Sequence, residues 1–175
     1  MKRSIITAIA FLAFTFGLGA QNIAYVNTDT ILAAMPEYVS AQEQLNSLSD
    51  KYKAAIETEL GKIESLYQDY QNKKSSMSAS QRSAAENEII SKEKVVKEKQ
   101  RIYFGEDGIM SRKSDELLTP IKANVDRLLK AYAESWKLDF IYDIAAMQGI
   151  VYKNENLDVT DQIIKLYNNY KAKNQ

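Results

Sequence analysis

The chain has 175 residues, 23 basic and 23 acidic side chains, a formal charge of zero, and neither cysteine nor histidine. Without those two residue types, thiol nucleophiles, Cys/His zinc sites and imidazole general bases cannot be built, and a neutral chain lacks the basic footprint of a nucleic-acid binder. No enzyme signature remains: catalytic residues, metal ligands and cofactors are all expected to be none, and the acidic pairs Glu106–Asp107 and Asp115–Glu116 read as a solvated helical face.

In chain order, Met1-Lys2-Arg3, an uncharged apolar run from Ile5 to Leu18 and small residues up to Ala20 read as a signal peptide over residues 1–20. The run is too short for a membrane anchor. An exported, soluble protein is expected. Ile23-Ala24-Tyr25-Val26-Asn27 is a strand by composition. Thr28 or Asp29 can cap a short helix running through Met35, which Pro36 stops.

From Glu37 to Trp136 the chain holds one Pro and three Gly and reads as helix almost throughout. Leu45, Leu48, Tyr52, Ile56, Leu60, Ile63, Tyr67 and Tyr70 recur at helical steps and form a narrow stripe on an otherwise charged helix. The serines at 75–80 interrupt it, and Ser78 with Gln81 is a capping-box start. The chain is therefore expected to fold back as an antiparallel hairpin with its turn near 75–79. On the return, Ile89, Val96, Tyr103, Met110 and Leu117 repeat every seventh residue. Folding about Met77 pairs residues whose numbers add to about 154, placing Leu60 by Val95 and Tyr67 by Ile89 in the manner of a coiled coil. The segment 71–101 carries eight basic against four acidic residues, so the arm end is locally positive, Lys73, Lys74 and Arg82 included.

Gly105 and Gly108 each cost a helix interior about 1 kcal/mol relative to Ala. They predict a bend, and replacing both with Ala is expected to stiffen the arm and raise its melting temperature. Pro120 predicts a kink, with Thr119 able to cap the helical segment beyond it. These three residues, Gly105, Gly108 and Pro120, are the candidate hinge.

Beyond the arm, Leu117, Leu118, Ile121, Val125, Leu128, Leu129, Tyr132 and Trp136 need a partner outside the hairpin. Phe140 to Ile144, the turn-former Gln148-Gly149, and Ile150-Val151-Tyr152 suggest a small sheet with the amino-terminal strand as its third member. Asp158 or Thr160 can cap a closing helix from Asp161 to about Tyr170. The expected fold is α+β and mostly α. A helical hairpin arm over 37–116 stands on a small β body made of 21–36 and 117–175. So small a core with open strand edges favours self-association, through the candidate interface residues Ile23, Tyr25, Phe140 and Ile141.

An Ile-Ala-Tyr-Val-Asn strand, a long polar hairpin, and the closing runs Asp-Phe-Ile-Tyr-Asp, Gly-Ile-Val-Tyr and Leu-Asp-Val-Thr-Asp-Gln-Ile-Ile together resemble the Skp family, also called OmpH-like, of periplasmic chaperones. The resemblance spans essentially all of the chain after residue 20. It implies a homotrimer whose arms enclose a cavity for unfolded outer-membrane proteins, with no nucleotide and no metal. The best-known members are strongly basic, whereas here only the arm end keeps that sign. Tyr67, Tyr70 and Met77, beside Lys73, Lys74 and Arg82, are the candidate client contacts, although Tyr67 and Tyr70 also lie on the stripe and are expected to pack in it. The function expected is that of an ATP-independent holdase. The rival readings are a structural coiled-coil spacer of the envelope and a lipid- or lipopolysaccharide-binding module, with anionic lipid met at the arm end.

Overall fold

The computed structural model describes residues 21–173. The signal-peptide expectation for residues 1–20 lies outside them. Strand β1 (Ile23–Val26) leads through Asn27 into α1 (Thr28–Ala33), then α2 (Pro36–Lys73), α3 (Ala79–Phe104), α4 (Ile109–Trp136), β2 (Phe140–Asp143), a 3-10 turn (Glu155–Leu157) and α5 (Thr160–Lys173).

The hairpin arm is α2 against α3. Pro36 opens α2, where its missing N–H is one that no helix start can pair. Ser78 caps α3, its hydroxyl accepting from the Gln81 N–H while the Gln81 side chain accepts from the Ser78 N–H. Ile56, Ile63, Tyr70, Ile89 and Val96 are buried between the two helices, with Leu66, Met77, Ala85 and Tyr103 packed around them. Tyr52 and Tyr103 stack with centroids 4.1 Å apart, and Lys99 reaches Glu59 at 3.2 Å.

The facing pairs Tyr52–Tyr103, Tyr70–Glu86 and Glu59–Lys99 fix the register, with residue numbers adding to about 156, and they correct the stripe. Leu60 is 45% and Val95 52% exposed. The buried repeat instead steps from Tyr52 and Ile56 through Glu59 to Ile63, Leu66 and Tyr70. Tyr67, expected to pack, is 48% exposed, whereas Tyr70 is buried.

Gly105 and Gly108 do more than bend a helix. Gly105 ends α3 and Gly108 precedes α4, both with extended backbone (ψ 170° and 174°). A Cβ on Gly105 would sit well inside contact distance of the Arg101 carbonyl oxygen, and one on Gly108 would lie 2.8 Å from the Gly105 carbonyl oxygen. The expectation that Ala here stabilises the arm is therefore overturned: the backbone itself occupies the space. Pro120 sits inside a continuous α4, so Thr119 caps nothing.

The body core joins both ends of the chain. Val26, Ile31, Leu32, Met35, Ala41, Ile121, Val125, Leu128, Ile163 and Tyr167 are buried together, with Leu117, Leu118, Leu129, Tyr132 and Ile141 packed against them. Trp136 stays 65% exposed. Asn27, one residue before the expected caps, accepts from the Thr30 N–H and caps α1. Asp158 accepts from the Thr160 N–H at the start of α5.

The sheet has two strands, parallel, with Ile23 facing Phe140 and Tyr25 facing Tyr142. The third strand expected at Ile150–Tyr152 is absent among the described residues. Gly149 turns the chain (φ 81°), but Val151 beyond it is 99% exposed. The segment 148–153 makes no backbone–backbone hydrogen bond among the described residues, and the bridge to β1 is made instead by Asp158, through Tyr25.

Candidate functional site

Two surfaces carry the residues singled out in the sequence: the arm and the outer face of the body sheet. Toward the arm end, the Tyr70 hydroxyl donates to the Glu86 carboxylate, and this hydrogen bond raises the Tyr70 pKa above its ordinary value. Lys74 lies over the Tyr70 ring, 5.3 Å from its centroid. Lys73 pairs with Asp69 one turn earlier at 3.7 Å. Tyr70 and half-buried Met77 thus hold the hairpin together, while Tyr67, Lys73, Lys74 and Arg82 face solvent.

Further down the arm, Leu60, Ile90, Val95, Ile102 and Phe104 are exposed apolar side chains. With Tyr67 they lie along a charged rod, and the Phe104 ring packs edge-on against Tyr52 and Tyr103. Reading Leu60 and Val95 as core concealed them, and the signal that finds them is the phase of the seven-residue repeat set by Ile89, Val96 and Tyr103.

On the body, strand alternation turns Ala24 and Val26 inward. Ile141, named as an interface candidate, packs against the body core. The other strand face carries Ile23, Tyr25, Phe140 and Tyr142, the last two stacked with centroids 6.1 Å apart. Phe140 is 50% exposed. Beside it an open hollow of about 550 Å³ is lined by Tyr25, Tyr142, Ile144, Met147, Ile150 and Lys153, among others. The Tyr25 hydroxyl is buried there without a partner in hydrogen-bonding geometry, and Lys153 lies over its ring, 5.1 Å from the centroid. No group of three or more acidic, His or Cys side chains among the described residues could hold a metal. No described helix is long and apolar enough to cross a membrane.

The model of the family described as outer membrane protein (OmpH-like) matches residues 22–167. The chain belongs to the OmpH-like family. No curated protein matches its sequence. Among solved structures, this OmpH-like chain is similar to a proposed OmpH-like outer membrane chaperone from Caulobacter crescentus CB15, with a TM-score of 0.62, 12% identity and 89% of each chain covered. At that identity the likeness is one of fold. The OmpH-like chain therefore presents a helical hairpin with scattered apolar contacts, joined to a body whose outer sheet face is apolar and unfilled.

Proposed function

We propose that this OmpH-like protein is an ATP-independent holdase of the periplasm that binds unfolded outer-membrane proteins between its arms and keeps them from aggregating. In this reading residues 21–36 and 117–175 form the oligomerising body, and 37–116 form the arm. The observation that carries the proposal is the arm surface, where apolar side chains at 60, 67, 90, 95 and 102 are exposed singly along a charged rod. Such a surface offers many weak contacts and no fixed pocket, which suits a client without fixed shape. A chaperone role also agrees with the family and with the description of the Caulobacter protein.

A homotrimer would set three arms around a common space. Its support lies in the body. Phe140 and Tyr142 are exposed on the sheet face, and segment 148–153 has unpaired backbone.

Dilution of a urea-unfolded β-barrel protein into buffer tests the function. Suppression of light scattering at stoichiometric amounts of this protein is the expected result. Undiminished aggregation would leave the spacer reading in its place.

A further inference from the structure

An arm that moves must yield somewhere, and two places are available. One is the break at Gly105–Gly108, where the return side of the arm loses helical continuity. The other is the root, where α2 leaves the body after Met35 and then runs unbroken for 38 residues. At the root, Tyr38 and Ala41 pack on the body core. Apolar packing of this kind is non-directional and lets one element roll on another.

A second set of contacts at the root is directional. The Tyr167 hydroxyl, from a ring only 4% exposed, donates to the Glu37 carboxylate. Lys171 Nζ lies 3.3 Å from the same Glu37 Oε2 and 5.9 Å from the Tyr167 ring centroid. Tyr167 and Lys171 are one turn apart on α5, so a single face of the closing helix grips one carboxylate. Glu37 stands in the first turn of α2, where the helix dipole also favours its negative charge.

We infer that Glu37, Tyr167 and Lys171 form a lock at the arm root, fixing the direction of α2 against α5. Packing alone would let α2 pivot about Met35–Pro36. Hydrogen bonds hold only within a narrow range of angle, so a swing of α2 breaks the lock before it unpacks the core. The lock concerns how the arm is mounted and stands whether or not a client enters between the arms.

Nitroxide pairs read this directly, with labelled chains diluted into unlabelled ones so that only distances within one chain count. A root pair joins exposed Asp50 on α2 to Asp161 on α5, and a break pair joins Ser83 on α3 to Asp115 on α4. Glu37→Gln removes the charge but keeps an acceptor for Tyr167, whereas Tyr167→Phe keeps the ring in the core and removes only the hydroxyl. In either variant the root-pair distribution should broaden about twofold, with the break pair unchanged. Wild-type width at the root in both variants overturns the lock. Equal broadening of both pairs overturns it too, since that reports general loosening. Should Tyr167→Phe fail to fold, Glu37→Gln decides alone, because its site is partly open to solvent.

Discussion

The same replacement, Gly to Ala, should act in opposite directions at two positions of the arm. Gly61 lies inside α2 with nothing within 4 Å of the position its Cβ would take. Gly61→Ala should stabilise the protein by about 1 kcal/mol in urea unfolding, the ordinary helix-propensity gain. Gly105→Ala should destabilise it by about 1–3 kcal/mol, because the methyl meets the Arg101 carbonyl. Equal effects at the two sites would remove the close-approach account of the break. Glu37 makes a second prediction at this scale. Burial works to raise its pKa, but hydrogen bonds from Tyr167, its own backbone and Lys171, with the charge of Lys171, outweigh that and hold it below the ordinary value. A depressed carboxylate contributes stability above the unfolded pKa of about 4.3 and loses it as pH falls through the folded value. Glu37→Gln should therefore melt below wild type at neutral pH. That gap should narrow as the pH falls below about 4, and a gap independent of pH would contradict the ion-pair reading.

At the scale of elements, the features legible in the sequence were those that depend on near neighbours. The Ser78–Gln81 box and the Asp158 cap are each settled within four residues, so spacing alone reveals them. The hairpin and the packing of Ile121, Val125 and Leu128 on the body come from apolar periodicity over longer runs. The phase of that periodicity was not legible. Between Ile56 and Ile63 the repeat can step through Glu59 or Leu60, and hydropathy alone chooses Leu60. The fold takes Glu59, whose carboxylate meets Lys99 across the hairpin at 3.2 Å, a pairing no local pattern contains. Likewise Gln148-Gly149 carries a turn signal and Gly149 does turn the chain, yet the residues beyond it pair with neither strand. The register is open to a cross-link. Cysteines replacing Tyr52 and Tyr103 should form a disulfide that leaves the helical signal intact, whereas cysteines replacing exposed Leu60 and Val95 should stay largely reduced in the folded chain. Efficient closure of the second pair would mean that the stripe had been assigned the wrong phase.

For the whole molecule the question is whether the body gathers several arms and whether clients depend on their spreading. Phe140 and Tyr142 are better probes of assembly than Ile141, because a charge at Ile141 would disturb the chain's own core. Phe140→Glu with Tyr142→Glu should convert the proposed trimer to monomers in light scattering, with the far-UV spectrum retained. If the variant keeps the wild-type mass, the sheet face is not the interface. The same variant bears on function. Arms no longer held around a shared space should still bind an unfolded β-barrel protein weakly, but should lose most suppression of its aggregation at stoichiometric amounts. Spreading of the arms is tested by the Tyr52→Cys, Tyr103→Cys variant. Its disulfide ties the carboxyl end of α3 to α2 just before the Gly105–Gly108 break and so opposes movement there. Oxidised and reduced forms share one sequence, and propensity differences between variants do not enter. If the break lets the arms open, both forms should protect a small β-barrel client, and only the reduced form should protect a large one. Equal protection of the large client by both forms would leave Gly105 and Gly108 as close-packed chain breaks with no part in admitting clients.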